Sequence, residues 1–304
     1  MTDAAPDIRS LPFADALAWL SEHGEPADPR PDIDTASLQR RFPRLAHVRT
    51  RDLVVDAPSG PQPARLYRDD TAPHEGAALV WVHGGGFIGG YLDMPESNWV
   101  ALELAARGIP VLAVDYVKCL GGVHFPAPSD DVLAAWRFAR DRSAELLGVE
   151  SSALLLGGAS AGGNLTAGAM ARLRDAGSAL PAGLVSVYPS VDPDGSHPGV
   201  VPDPKSPSAQ LSLNFAGSAA ALRDPYAFAG LGSVDAFPPT LVVVCEQDPL
   251  RPSGEAFAGR LSSVGTDATL YVEADAGHAH MNEPSDPAAA RTLDVISGWI
   301  ADRW

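Results

Sequence analysis

The stretch SALLLGGASAGGN, residues 152–164, places an apolar run directly before a cluster of small residues around one serine. The run predicts a buried strand, and the spacing of apolar residues after it predicts a helix over 163–176. Between them, GASAG (158–162) fits G-x-S-x-G, in which a sharp strand-to-helix turn exposes the serine hydroxyl. Two interpretations remain open here: a small-residue turn needed only for close packing, or a turn that presents Ser160 as a nucleophile.

Similar apolar runs and helical periodicities continue on both sides of this stretch. The predicted strands are 77–83, 110–116, 153–158, 183–189, 240–246 and 268–274, and the predicted helices are 15–23, 97–107, 129–147, 163–176, 254–264 and 287–301. Apolar strands that alternate with helices indicate a parallel sheet covered on both faces. VRTRDLVVDA (48–57) and PARLYRD (63–69), joined by PSGPQ, predict a hairpin that adds antiparallel pairing at one edge.

The length and the irregular segments bound the domain organisation. A chain of 304 residues can bury a full core without disulfides or metals. We predict a single domain over 1–304, with a helical cap built from residues 1–45 and from the insertion 192–237. A long, Pro- and Gly-rich excursion between two core strands is typical of a lid over a site.

Charge and hydropathy exclude several classes of partner. The formal net charge is −16, from 22 Lys and Arg against 38 Asp and Glu, whereas nucleic acids and anionic membranes are bound by clusters of Lys and Arg. There is no signal-peptide pattern and no run near the ~20 apolar residues that span a bilayer. We therefore expect a cytoplasmic protein without membrane insertion. Cys119 and Cys245 are predicted to be buried thiols. The sequence leaves open whether the protein forms a homodimer.

Four predicted strands are each followed by glycine-rich or polar residues. These are HGGGF (83–87), GASAG, QDPL (247–250) and GHAHMN (277–282). Because the carboxyl ends of parallel strands share one edge of a sheet, we expect them to lie together. Consecutive glycines can aim two backbone N–H groups at one point, where they would stabilise an oxyanion. The N–H of Ala161 would be a third donor.

A serine hydroxyl needs a base to accept its proton and an acid to hold that base. The order serine, aspartate, histidine along the chain is typical of α/β-hydrolases. Asp248 begins a turn, whereas its rival Glu246 still belongs to the strand end, so Asp248 is the favoured acid. His278 and His280 both remain candidate bases on spacing alone.

Taken together, HGGGF, GASAGGN, PPTLVVVCEQDPLR and HAHMN resemble the hormone-sensitive-lipase-like family of α/β-hydrolase esterases, from about residue 45 to the end. The resemblance implies the α/β-hydrolase fold, with a mostly parallel central sheet flanked by helices. It also implies a serine carboxylesterase without metal or organic cofactor, acting on a small-molecule ester through an acyl-enzyme. The small size of the protein and its predicted cap favour substrates with short acyl chains. A non-catalytic small-molecule receptor on the same fold, or an amidase or acyltransferase with the same triad, is the alternative.

The resemblance also implies individual roles. Ser160 matches the nucleophile and Asp248 the acid, and the register of HAHMN makes His278 the base and His280 a wall residue or hydrogen-bond partner. The oxyanion donors would be Gly85, Gly86 and Ala161, and His83 would brace their loop. The chain departs from the family at Ala159, where an aspartate is common, and at 115–128, where the usual arginine and charged run are missing.

Overall fold

The computed structural model describes residues 8–26, 28–73, 76–193 and 203–304. Its centre is one eight-stranded sheet. The strands are β1 (Arg49–Ala57), β2 (Gly60–Arg68), β3 (Ala78–Val82), β4 (Val111–Val114), β5 (Leu154–Ala159), β6 (Leu184–Val187), β7 (Thr240–Cys245) and β8 (Ala268–Glu273). Their order across the sheet is β1-β2-β4-β3-β5-β6-β7-β8.

Strand directions agree with the sequence prediction. Every pairing from β4 to β8 is parallel, and the β1–β2 hairpin joins the sheet through an antiparallel pairing of β2 with β4. The hairpin turn is shorter than predicted, because Ala57 already pairs with Gly60. The predicted sheet, mostly parallel and flanked by helices, is confirmed.

The helices lie between the strands and before them. They are α1 (Phe13–His23), α2 (Thr35–Arg41), α3 (Pro95–Ala106), α4 (Ala127–Asp141), α5 (Ser143–Leu147), α6 (Ala161–Asp175), α7 (Pro207–Ala216), α8 (Arg251–Ser263) and α9 (Pro287–Ala301). The single helix predicted over 129–147 is wrong. Arg142 leaves the helical region at φ −126°, and the bend lets Leu146 and Leu147 be buried in the same apolar cluster as Trp136.

Side chains of the central strands alternate between two cores. In β3, Ala78, Val80 and Val82 belong to one cluster with side chains of α4 and α6, while Leu79 and Trp81 belong to another with α3 and α9. This two-sided burial is the reason that the strands are apolar throughout. Cys119 and Cys245 are buried and free, as predicted.

The predicted cap falls partly on residues 1–7, 27 and 194–202, which lie outside the described residues, and its assignment stays a prediction. In the described part, Leu38 of α2 is fully buried in the cluster that includes α3. Glu25 accepts a hydrogen bond from the Gly90 N–H at 2.6 Å. Phe215 of α7 stacks on Phe87, with ring centroids 4.0 Å apart. The described parts of 1–45 and of 192–237 therefore both contact the chain that follows β3, through Glu25 and Phe215.

Across the described ranges, no helix combines the length and the apolar character required to cross a membrane.

Candidate active site

The turn between β5 and α6 holds Ser160 in a strained backbone conformation. Its φ of 52° and ψ of −118° lie where non-glycine residues are rare. The Ser160 N–H donates to the Val187 carbonyl at 2.9 Å, and the Ser160 carbonyl accepts from the Asn164 N–H at 3.1 Å. These bonds to β6 and to the first turn of α6 hold the residue in place.

Two glycines allow this turn to be so sharp. A Cβ on Gly162 would lie 2.2 Å from the Val82 carbonyl oxygen, and a Cβ on Gly158 would lie 2.6 Å from the carbonyl carbon of Gly162. Any side chain at either position would push α6 away from the end of β3. The glycines of GASAG are therefore required by the close approach of strand and helix.

Ser160 begins a row of hydrogen-bonded side chains. Its Oγ lies 2.8 Å from Nε2 of His278, and Nδ1 of His278 lies 2.7 Å from Oδ2 of Asp248. The second oxygen of Asp248 accepts the Leu250 N–H at 2.8 Å. The Asp248 side chain is 1% exposed and that of His278 33% exposed, so the row runs from a buried carboxylate to an accessible imidazole.

The rival residues lie elsewhere. Glu246 is exposed and accepts a hydrogen bond from the Asp275 N–H at 2.9 Å. His280 is buried, with Nε2 2.8 Å from Thr292 Oγ1 and Nδ1 3.3 Å from Cys245 Sγ. Burial lowers the pKa of His280 below its usual value. Of each pair of candidates, the structure brings Asp248 and His278 to Ser160.

The glycine loop after β3 passes beside Ser160. A Cβ built on Gly84 would lie 3.0 Å from the Ser160 Cβ. Gly85 and Gly86 have φ of 110° and 61°, and a Cβ on Gly85 would meet the Gly89 carbonyl oxygen at 2.1 Å. Among the described residues, no protein acceptor is hydrogen-bonded to the backbone N–H of Gly85, Gly86 or Ala161. The oxyanion role of these three donors stays a prediction.

His83 braces this loop from behind. Its Nδ1 lies 2.7 Å from the Gly84 carbonyl oxygen and its Nε2 lies 3.1 Å from Asp115 Oδ1. Burial alone would raise the pKa of Asp115, but the hydrogen bond with His83 and the charge of Lys118 hold it well below its usual range. The Lys118 ammonium also lies 3.9 Å from the centroid of the Tyr116 ring, in the segment that lacks the family's arginine.

Sequence motifs did not predict two residues of this site, Glu96 and Tyr188. Glu96 accepts hydrogen bonds from the Gly84 N–H and the Tyr188 hydroxyl, both at 2.6 Å. The Tyr188 ring stands edge-on to His278, with centroids 5.1 Å apart. Burial, and then the charge of Glu96, raise the Tyr188 pKa well above its usual value, so the phenol stays a donor. In PESNW, Glu96 looks like an ordinary acid in the first turn of a helix.

Residues 79–282 match the family model described as the alpha/beta hydrolase fold. The chain belongs to this family. Among its relatives, this α/β-hydrolase is 34% identical over 231 residues to the ethyl acetate hydrolase of Pseudomonas putida, covering 72% of the present chain and 71% of that relative. It is also 32% identical over 157 residues to the hormone-sensitive lipase of Mus musculus, covering 51% and 19% of the two chains.

Among solved structures, this α/β-hydrolase is similar to an esterase of Pyrobaculum calidifontis. The TM-score is 0.75 at 26% sequence identity, and the match covers 88% of this chain and 90% of the other. These similarities confirm the resemblance to the hormone-sensitive-lipase-like family. They identify the chain as an enzyme, a serine hydrolase of the carboxylic ester hydrolase class.

Proposed function

We propose that this α/β-hydrolase hydrolyses short-chain carboxylic esters through an acyl-enzyme. The observation that carries the proposal is the row of Ser160, His278 and Asp248, joined at 2.8 and 2.7 Å. Beside it lie the backbone N–H groups of Gly85, Gly86 and Ala161, to which no described residue is hydrogen-bonded. Nucleophile, base and orienting acid within hydrogen-bond reach of one another are the requirement for acyl transfer to serine.

In the first half-reaction, Ser160 Oγ bonds to the ester carbonyl carbon while His278 Nε2 accepts the hydroxyl proton. The carbonyl π electrons move onto oxygen, and the N–H groups of Gly85, Gly86 and Ala161 stabilise that charge. Asp248 accepts a hydrogen bond from the Nδ1–H of His278 and stabilises the imidazolium. When the carbonyl re-forms, the bond to the alcohol oxygen breaks and His278 donates its proton to the leaving alcohol.

Water completes the cycle. His278 accepts a proton from water as the water oxygen bonds to the acyl carbon, and the same N–H groups hold the second oxyanion. Collapse breaks the bond to Ser160 Oγ, which takes the proton back, and a carboxylic acid leaves. The partial exposure of the His278 side chain supports this step, because solvent can reach the imidazole.

Contacts beside Gly86 support a preference for esters with short acyl chains. A Cβ on Gly86 would lie 3.1 Å from both methyl carbons of Leu211, so α7 occupies the space beside the glycine loop. The stack of Phe215 on Phe87 holds α7 there. The relative from Pseudomonas putida is named for a small ester. A receptor would not need all three residues of the row, whereas an amidase or acyltransferase would use the same groups.

Hydrolysis of p-nitrophenyl esters from acetate to dodecanoate tests the proposal, together with Ser160→Ala, His278→Ala and His280→Ala. We expect kcat/KM to fall as the acyl chain lengthens. Ser160→Ala should lose turnover and labelling by a fluorophosphonate. His278→Ala should lose about 10²–10⁴-fold in kcat, the usual contribution of a general base, and His280→Ala much less.

Several outcomes would contradict the proposal. Labelling of Ser160→Ala would exclude this nucleophile, and a greater loss in His280→Ala would move the base to that residue. A preference for long chains would reject the short-chain assignment. Saturable binding of the esters without turnover would favour the receptor, and faster release of p-nitroaniline from anilides would favour an amidase.

A further inference from the structure

Glu96 is a buried acidic side chain of α3. It is 1% exposed, and among the described residues no Lys, Arg or His side chain forms an ion pair with it. Glu103 on the same helix is equally buried but pairs with Arg44 and Arg107. A buried charge is tolerated only when hydrogen bonds replace its hydration. The partners of Glu96 therefore indicate why a carboxylate stands there.

Those partners follow three different strands in the chain. Oε1 accepts a hydrogen bond from the N–H of Gly84, two residues after β3, at 2.6 Å. Oε2 accepts the Tyr188 hydroxyl, directly after β6, at 2.6 Å, and lies 3.5 Å from the Asn282 amide, beyond β8. In return, Asn282 Oδ1 accepts the Glu96 backbone N–H at 3.2 Å. Bonds to an ionised acceptor are among the stronger protein hydrogen bonds.

The bond to Gly84 completes the support of the glycine loop. The Gly84 carbonyl accepts the Tyr116 hydroxyl at 3.0 Å and lies 2.7 Å from the ring nitrogen of His83, so both peptide groups of Gly84 are held. Gly85 and Gly86 follow with positive φ, a conformation that glycine can also leave at little cost. An oxyanion hole is effective only when its donors need no reorganisation.

We propose that Glu96 is a positioning residue that fixes the oxyanion donors of Gly85 and Gly86 through Gly84, and couples them to His278 through Tyr188. This inference rests on the proposed function, since it assigns a role within that same site. Glu96 does not touch substrate. It acts by keeping the glycine loop in place as charge develops on the carbonyl oxygen.

Glu96→Gln tests this role directly, because the two groups bonded to Glu96 at 2.6 Å, the Gly84 N–H and the Tyr188 hydroxyl, are both hydrogen-bond donors. A carboxylate accepts with two oxygens, whereas an amide has one oxygen and one NH₂ group. Glutamine must therefore turn its NH₂ toward either Gly84 or Tyr188, and lose that bond, with almost no change in volume. The matched control is Glu103→Gln, a change of the same kind in the same helix, whose ion pairs lie away from these strand ends.

The experiment measures kcat and KM for p-nitrophenyl acetate, the Ki of an aliphatic trifluoromethyl ketone, and Tm. Ser160 Oγ adds to the ketone carbon, its proton passes to His278, and the carbonyl oxygen becomes an oxyanion. In Glu96→Gln we expect kcat/KM to fall about 10–100-fold and the Ki of the ketone to rise by a similar factor, with KM within about twofold. Glu103→Gln should lower Tm and leave the kinetic constants within about twofold.

Unchanged ketone affinity in Glu96→Gln, or a loss confined to KM, would overturn the inference. If Glu96→Gln does not fold, Tyr188→Phe removes one donor and keeps the ring. It should weaken ketone binding to a smaller extent, and no weakening would also overturn the inference. A wild-type protein without esterase activity would instead reject the proposed function. An active wild type with an unaffected Glu96→Gln would reject only this inference.

Discussion

Ser160 shows how one residue can combine strain with function. Its backbone lies in a region that costs about 1–3 kcal/mol for a residue with a Cβ. Neighbouring bonds to Val187 and Asn164 hold it there, and Gly158 and Gly162 remove the clashes that would prevent the turn. The result is a hydroxyl that stands free of its own strand and meets His278.

This strain predicts an order of stabilities for two inactive variants. Ser160→Ala keeps the Cβ and its strain, whereas Ser160→Gly adopts a φ of 52° readily. Glycine also loses about 0.5–1 kcal/mol through greater freedom of the unfolded chain. We expect the free energy of unfolding of Ser160→Gly to exceed that of Ser160→Ala by about 1 kcal/mol, measured by urea denaturation.

Ala161→Gly is the control for this comparison. It changes the next residue, which is helical, and should lower the free energy of unfolding. Equal stability of the two Ser160 variants would show that the turn is not strained by its Cβ.

The two helices before the sheet differ in how they attach. Leu38 of α2 is fully buried in a core cluster with residues of α3, and Thr35 Oγ1 donates to Asn98 Oδ1 at 3.1 Å. The buried side chains of α1, Ala16 and Leu20, lie outside the apolar clusters that cover the two faces of the sheet. After α1, Glu25 bonds to Gly90 near the glycine loop. α2 therefore packs directly against α3, whereas the contacts of the α1 segment lie nearer the site.

Two truncations separate these roles. Removal of residues 1–26 should leave a cooperatively unfolding protein and raise KM for p-nitrophenyl butyrate more than it lowers kcat, because remote contacts serve mainly to bind and position substrate. Removal of 1–41 should lower Tm strongly, since it deletes Leu38. Thermal melts and steady-state kinetics check both.

Glu25→Gln is the point control, with an expected rise in KM smaller than that of the truncation. A collapsed melt after removal of 1–26 would place α1 in the core, and unchanged kinetics would separate it from the site.

In the whole molecule, the parallel sheet gathers residues that are distant in sequence. β3, β5, β7 and β8 run parallel and so end on the same side of the sheet. The residues that follow them are the glycine loop, Ser160, Asp248 and His278. Behind these residues, His280 lies buried against Thr292, which donates to the fully buried Glu273 at 3.0 Å. The residues packed behind the site, His280, Thr292 and Glu273, are thus part of the buried interior of the fold.

Stability should accordingly depend on pH through His280. Burial lowers its pKa from the usual 6.5, although the charges of Glu273 and Asp286 oppose this. In the unfolded chain this histidine then binds a proton more readily than in the native state. The contribution of neutral His280 to the free energy of unfolding is therefore complete above about pH 6.5 and is lost as pH falls below that value. We expect Tm to fall between pH 7.5 and 5.5, and to fall less in His280→Asn. Equal slopes in the two proteins would contradict this assignment.

Local patterns in the sequence were sufficient to predict the sheet and its glycine-rich turns. The alternation of apolar strands with helices predicts two-sided burial, and GASAG and HGGGF predict turns because close approach and positive φ exclude side chains there. Spacing alone left His278 and His280 open, the family resemblance favoured His278, and the tertiary structure brings that residue to Ser160. Only the tertiary structure decided that the chain bends at Arg142. The same is true of Glu96, whose partners follow three separate strands. A hydrogen bond between residues far apart in sequence depends on strand order and on helix packing, and neither leaves a periodic signal in the chain.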